Sequence, residues 1–245
     1  MAMVDAVPQR LYLFTLSTAT IPAGARTLDM VSGCYLIEMS DGKRILVDSG
    51  YPADVPPPPG TTPSAEDKDV LECLAALGLG PDDIDVLICT HFDVDHAGYH
   101  DAFRRAELVV QREHYELARS GHPRFAAARK HWDDPALRYR LVDGDTELFP
   151  GLTLLETSGH TPGHQSVLLR LPQTGLVLLA IDAVMLQFMF TPERKAGPMD
   201  DNEEQLRAST RKLLELVERE QIQLVVFGHD GAQRKTLKTA PDYYA

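Results

Sequence analysis

Thr90-His91-Phe92-Asp93-Val94-Asp95-His96-Ala97-Gly98 follows directly on the apolar run Ile84 to Cys89. Two histidines and two carboxylates within six residues, on a loop leaving a buried strand, call for positive charge among them, because a buried charge is costly unless it is paired or bound to metal. A pair of metal ions meets that demand. Gly159-His160-Thr161-Pro162-Gly163-His164, Ile181-Asp182 and Gly228-His229-Asp230 each set a His or Asp just beyond an apolar run of their own. Strand ends are where a rigid scaffold holds reactive groups, so four such ends together argue for one site rather than scattered surface charge.

On these residues the chain resembles the metallo-β-lactamase superfamily of binuclear metal hydrolases. Its pattern is His-x-His-x-Asp-His, a distant His, an Asp and a C-terminal His, filled here by His91, Asp93, Asp95, His96, His160, Asp182 and His229. Ile45-Leu46-Val47-Asp48-Ser49-Gly50 is similar to the family's early strand-Asp-x-Gly element. Within the superfamily, His160-Thr161-Pro162-Gly163-His164-Gln165-Ser166, Phe227-Gly228-His229-Asp230 and Leu237 to Tyr244 resemble the N-acyl-homoserine lactonases.

The resemblance implies an α/β fold, the αββα four-layer sandwich. It implies a first metal held by His91, Asp93 and His160, a second held by Asp95, His96 and His229, and Asp182 bridging them with a hydroxide between the ions. His91 and Asp93 alternate onto one side of an extended segment, which is compatible with that division. His164 and Asp48 are expected behind the ligands, orienting them. The cofactors are then two divalent ions, zinc first, with iron or manganese open at the first position because Asp93 makes it harder and more anionic. The implied reaction is opening of the lactone ring of an N-acyl-homoserine lactone, or a similar acylated lactone or ester, by the bridging hydroxide, with Asp95 or a bound water returning the proton to the ring oxygen. Asp95 and Asp182 are the expected catalytic carboxylates.

Two positions depart from the family. Asp93 stands where the second His of the motif belongs. Met185 stands where the lactonases place a Tyr that donates to the substrate carbonyl, and a thioether donates no hydrogen bond. Tyr99 and Tyr115 are candidate replacements. Phe188, Met189 and Phe190 beside Asp182 are candidates for an acyl-chain wall, a homodimer contact or plain core. Other readings stay open: a thioesterase, carboxylesterase, phosphodiesterase or β-lactamase-like hydrolase of the same superfamily; an iron-binding oxidoreductase, since flavodiiron proteins carry an acidic residue at the third motif position; and a non-catalytic binder, if Asp93 points away.

The 245 residues are long enough for one domain with a full core, 1–245, with a possible lid insertion around 112–138. Hydrophobic content of 44% and charged content of 24% are those of an ordinary globular chain. The apolar start Leu11 to Leu16 is too short to span a membrane and lacks a basic flank, which points to a cytoplasmic protein without a membrane partner. A net charge of −12 argues against nucleic acid as a partner, because backbone binding needs a cationic surface. Cys34, Cys73 and Cys89 lie singly in apolar segments and read as reduced core residues.

Along the chain, strands are expected at Leu11 to Leu16, Cys34 to Met39 and Lys43 to Val47, the last two joined at Asp41-Gly42. Ser17 to Met30 reads as a long loop, either a surface connection or a substrate-facing segment. Four prolines at Pro56 to Pro59 exclude regular structure there. Ser64 reads as an N-cap opening a helix through Val70, Leu74 and Leu77 that stops at Gly78 or Gly80. Further strands are expected at Ile84 to Cys89, Ala106 to Gln111, Tyr139 to Val142, Leu152 to Thr157, Ser166 to Leu171, Leu176 to Ile181 and Leu224 to Phe227. Helices are expected from Arg112 to Ser120 and from Asp200 to Glu220. Gly121 to Arg138, rich in Arg, His and Ala, is either a lid or a packed surface helix. The second strand-rich half mirrors the first, which suggests a β-sandwich flanked by helices.

Overall fold

The computed structural model describes residues 6–23, 26–56, 64 and 66–245, and its strands form two sheets. The first contains β1 (Pro8–Ala23), β2 (Arg26–Met39), β3 (Arg44–Val47), β4 (Val86–Ile88), β5 (Glu107–Gln111) and β6 (Arg138–Val142), in that spatial order. The second contains β7 (Thr146–Phe149), β8 (Leu152–Glu156), β9 (Gln165–Leu171), β10 (Gly175–Ile181) and β11 (Leu224–Phe227), ordered β11-β10-β9-β8-β7.

Strand periodicity explains the layering. Side chains of a strand alternate between faces, so a strand covered on both faces reads as a continuous apolar run. Leu11, Leu13, Tyr35, Ile37, Ile45, Val47 and Ile88 of the first sheet face Leu152, Leu154, Val167, Leu169, Val177, Leu179 and Val226 of the second. Their neighbours Tyr12, Phe14, Cys34, Leu36, Leu46, Leu87 and Leu108 turn outward onto α1 (Val70–Ala76). On the other side Leu155, Leu178, Ala180 and Phe227 pack against Leu213 and Leu216 of α4 (Glu203–Glu220). The result is the expected helix, sheet, sheet, helix order. All three cysteines are buried and unpaired.

Strands β3 to β6 are mutually parallel, and β10 is parallel to β11, so each step needs a crossover. α1 supplies the crossover between β3 and β4, α4 that between β10 and β11, and α2 (Arg112–Arg119) with α3 (Arg129–Trp132) that between β5 and β6. Because β8, β9 and β10 are antiparallel in turn, the C-terminal ends of β8, β10 and β11 fall on one edge of their sheet. The loops that follow them carry His160, Asp182 and His229.

Several boundaries differ from the sequence expectation. Ser17 to Met30 is not a long loop: β1 and β2 run on as a hairpin, with Thr18 opposite Val31 and Ile21 opposite Leu28. That stretch keeps β-branched residues such as Thr18, Thr20 and Ile21 but lacks an apolar face, so pattern alone hides it. Residues 24 and 25 of that stretch, and Pro57 to Pro59 of the proline run, lie outside the described residues. The first helix opens at Asp69, not Ser64, through a reciprocal box in which Asp69 caps Glu72 N and Glu72 caps Asp69 N. Ser64 uses the same chemistry in a local turn, accepting from Glu66 N at 3.2 Å. The short strand β7 was not anticipated, and α4 begins at Glu203 behind an Asn202 cap rather than at Asp200.

His100 is fully buried, and Ser49 Oγ lies 2.7 Å from its Nδ1. Burial, helped by His131 and His96, pushes its pKa from 6.5 down to about 3. The unfolded chain takes up this proton near pH 6.5, so the stabilisation is complete above that pH and is lost as pH falls from 6.5 toward 3. At pH 5 the loss from this one group is about 2 kcal/mol. In denaturant titrations with chelator present, His100→Asn should shrink the stability gap between pH 7.5 and pH 5 by about that amount; an unchanged gap would mean that other groups dominate acid lability.

Candidate metal centre

The loop after β4 leaves its sheet and is fastened at once. Asp48, at the end of β3, accepts from Thr90 N at 2.8 Å and from Thr90 Oγ1 at 2.7 Å. Its backbone sits at φ 60, an uncommon conformation for a non-glycine residue. The same carboxylate takes the Nδ1 proton of His96 at 2.8 Å.

That last contact is one of four of the same kind. His91 Nδ1 lies 3.0 Å from Thr90 Oγ1, His160 Nδ1 lies 2.9 Å from Asp200 Oδ1, and His229 Nδ1 lies 2.9 Å from the Val31 carbonyl. Thr90 Oγ1 spends its proton on Asp48, so it accepts from His91. Each Nδ1 therefore donates outward, and each Nε2 is turned inward where it can hold a lone pair toward a cation. Among the described residues the Nε2 atoms of His91 and His96 have no hydrogen-bond partner although they are buried. Buried polar atoms without partners need a reason, and a cation among them supplies one.

Asp182 stands at the middle. Its Oδ2 faces His160 Nε2 at 3.3 Å and His91 Nε2 at 3.9 Å, its Oδ1 faces His96 Nε2 at 3.6 Å, and His229 Nε2 lies 3.1 Å from both oxygens. Asp93 joins the first pair, with Oδ2 3.1 Å from His160 Nε2 and 3.4 Å from His91 Nε2. Asp95 joins the second, its Oδ2 3.7 Å from both His96 Nε2 and His229 Nε2. Two compact donor sets result, His91-Asp93-His160 and Asp95-His96-His229, with a third, His91-His96-Asp182, linking them. All seven residues picked out from the sequence meet here, and the donors fit divalent cations.

The charges point the same way. Burial works to raise the Asp182 pKa, but His229, His96 and His160 hold it well below the carboxylate range. Burial likewise opposes ionisation of Asp93, and hydrogen bonds from Arg124, His160 and His91 keep it ionised. Burial works to lower His160, yet Asp200 and Asp93 carry it up to about 9. The carboxylates thus draw positive charge onto the cluster.

Asp182 is aimed by strain and by a relay. Ile181, the last residue of β10, has φ 51, an outlier for a β-branched residue, and this breaks the strand direction just before Asp182. His164 then accepts from Asp182 N through Nε2 at 3.2 Å, and its Nδ1 lies 2.9 Å from Thr157 Oγ1. His164 and Asp48 both stand directly behind the central groups.

The other expected residues scatter. Tyr99 and Asp95 line a cavity of about 490 Å³, together with Leu16, Tyr51, Pro52 and Val55. Tyr115, Met185, Phe188 and Phe190 are not among its lining residues. The Tyr115 ring packs 4.8 Å from Tyr139, Phe190 packs 5.7 Å from Phe227 in the α4 layer, and Phe188 is 64% exposed. Met185 uses its carbonyl to hold His229 N at 2.9 Å.

Sequence reasoning missed two residues. His114 is fully buried and links the two halves of the site: Nδ1 donates to the Pro162 carbonyl at 2.7 Å and Nε2 accepts from Phe92 N at 2.8 Å. Arg124, in the segment read as lid or surface, reaches Asp93 with Nε on Oδ1 at 2.6 Å and Nη2 on Oδ2 at 2.5 Å. The excess of arginine in that segment and the unusual carboxylate at position 93 were its only traces in sequence.

Residues 29–229 match the family described as Metallo-beta-lactamase superfamily. An N-acyl homoserine lactonase from a Bacillus species is 35% identical over 227 residues, covering 88% of each chain. N-acyl homoserine lactonase AiiA of Bacillus thuringiensis subsp. kurstaki is 34% identical over 229 residues, 89% of this chain and 88% of the relative. An N-acyl homoserine lactone hydrolase, solved with the product N-hexanoyl-L-homoserine bound at the catalytic metal center, superposes with a TM-score of 0.84 at 31% identity, over 97% of this chain and 100% of that one.

The His114 link is open to direct measurement. His114→Ala leaves the Phe92 N–H buried without its acceptor and should cost about 1–3 kcal/mol in urea titrations. His114→Gln, which keeps an acceptor, should recover part of that; equal stability of all three proteins would show that the link carries no weight.

Proposed function

The chain belongs to the metallo-β-lactamase superfamily, and on that premise we propose that it is a metal-dependent hydrolase that opens the lactone ring of N-acyl homoserine lactones. The observation that carries the proposal is the position of Asp182, its carboxylate within 3.9 Å of all four inward-turned imidazoles, in a chain about one-third identical to lactonases along most of its length. His91, Asp93 and His160 would hold one ion, Asp95, His96 and His229 the other, and Asp182 would touch both. Zinc suits a set of four imidazoles and three carboxylates. When bound, such ions lower the pKa of water toward about 7 and polarise a carbonyl.

The chain's own groups supply the rest. Asp182 and the four tied-back histidines would hold the cations in place, because each ring is held from behind. Asp95 is the carboxylate of the cluster that borders the 490 Å³ cavity, which supports giving it the part of carrying a proton to the departing ring oxygen. Leu16, Pro52 and Val55 give that cavity apolar wall for an acyl chain, and Tyr99 offers a hydroxyl in the same space. Tyr115 and Phe190, whose rings are engaged elsewhere, have no part in this account.

Ring opening releases one acid equivalent, so a pH-stat assay with N-hexanoyl-homoserine lactone and zinc-loaded protein tests the proposal. Rapid acid release is expected, and Asp182→Asn should reduce it by more than the roughly 10–100-fold typical of substitutions behind the ligands. No acid release, alongside fast cleavage of a linear ester or thioester, would reject the lactonase reading. Asp48→Asn should weaken zinc binding roughly 10–100-fold in chelator competition, because His96 loses the carboxylate that sets its tautomer; unchanged affinity would remove Asp48 from the account.

A further inference from the structure

Arg124 sits in the 3₁₀ turn Pro123–Phe125, on the segment that crosses from β5 to β6. Its guanidinium is spread over the site rather than over solvent. Nε and Nη2 grip the two oxygens of Asp93 at 2.6 and 2.5 Å, and Nη2 also lies 3.0 Å from His160 Nε2. Nη1 is anchored on Asp201 Oδ1 at 2.8 Å and on the His160 carbonyl at 3.2 Å. The side chain is 14% exposed, and that of Asp93 is 10% exposed.

Asp93 Oδ2 and His160 Nε2 are two of the inward atoms that the first donor set would offer to an ion. One nitrogen of Arg124 already faces both. A fork–fork pair of this kind is strong and directional, and desolvation strengthens it further. The substitution that brings a carboxylate to position 93 adds one negative charge to the centre, and Arg124 returns one positive charge to the same spot. Among the described residues the second donor set, Asp95-His96-His229, has no counterpart of Arg124: the ring hydrogen bonds of His96 and His229 run to Asp48 and Val31 behind the rings and to Asp182 between the sets.

We propose that Arg124 is a built-in cation at the first metal position, competing with the ion for Asp93 and His160, so that this position is the weaker and later-filled of the two. The inference rests on the two-ion reading given above and adds an order of loading to it. Because Nε and Nη1 have partners of their own, only Nη2 has to yield when an ion enters, and Arg124 stays attached to the site. The first position then loads only when free metal is high enough to displace it, which makes occupancy a function of metal supply.

The test is zinc titration of metal-free protein against a chromophoric chelator, with ion counts by elemental analysis, on wild type, Arg124→Met and Arg124→Gln. Wild type should bind two ions with clearly different affinities. Both variants should tighten the weaker class at least tenfold and leave the tighter class unchanged. Thermal unfolding provides a second readout: in chelator the variants should melt below wild type, since Asp93 has lost its counter-charge, and saturating zinc should close the gap. Arg124→Gln keeps a polar group for the His160 carbonyl and guards against a packing artefact in Arg124→Met. Weaker binding in the variants, or no change, would overturn the proposal, the first by making Arg124 a support for Asp93 as a ligand. Two tight ions with rapid lactone opening in wild type, and no effect of the variants, would reject the role of Arg124 alone. Failure of wild type to bind a second ion under any condition would reject the two-ion reading together with it.

Discussion

Negative charge that is shut away from water must be answered by positive charge, and that constraint governs this structure. Asp48, Asp93 and Asp182 are all buried at the junction of the two sheets. An isolated carboxylate there would take up a proton rather than stay ionised. The surrounding histidines are each turned by an outward hydrogen bond so that the nitrogen facing the carboxylates is the one able to meet a cation. The fold around them, with crossovers that bring strand ends to one edge, serves mainly to keep those rings and carboxylates in register.

Much of this was legible in the chain itself. Continuous apolar runs such as Leu176 to Ile181 announced strands buried on both faces, and the residues just past them announced the site, because polar groups at strand ends are close to the core yet free of its pairing. What failed to show were features without a local signature. The hairpin arms beyond Leu16 have no apolar face, so periodicity had nothing to report. The Asp69–Glu72 box lay five residues downstream of an equally good capping residue, Ser64. Arg124 could not be read because its partner is 31 residues away and long-range pairs leave no pattern in sequence. Even so, Asp93 in place of an imidazole was a question that only a nearby cation could answer, and the answer lay in the segment where arginines were already conspicuous.

Local strain is concentrated at the carboxylates. Asp48 itself and Ile181, the residue before Asp182, both adopt positive φ. Such conformations cost about 1–3 kcal/mol each and persist where the surroundings over-determine them. Around Asp48 the over-determination is visible as three hydrogen bonds from Thr90 and His96, and around Ile181 as complete burial between the sheets. The aim of both carboxylates is therefore set before any ligand arrives, which is the condition for electrostatic work in a buried site.

The donors are also divided between the two sheets. His91, Asp93, Asp95 and His96 ride on the loop after β4 of the first sheet, whereas His160, Asp182 and His229 follow strands of the second. Face-to-face sheets held by apolar contacts resist separation better than they resist sliding, because oily surfaces have no preferred offset. Cations bound across this seam would act as rivets, pinning one sheet to the other in the way that a cross-sheet disulfide does in other sandwiches. In a chain whose three cysteines are buried and unpaired, the chemistry of the site and the mechanical locking of its two halves would then rest on the same few atoms.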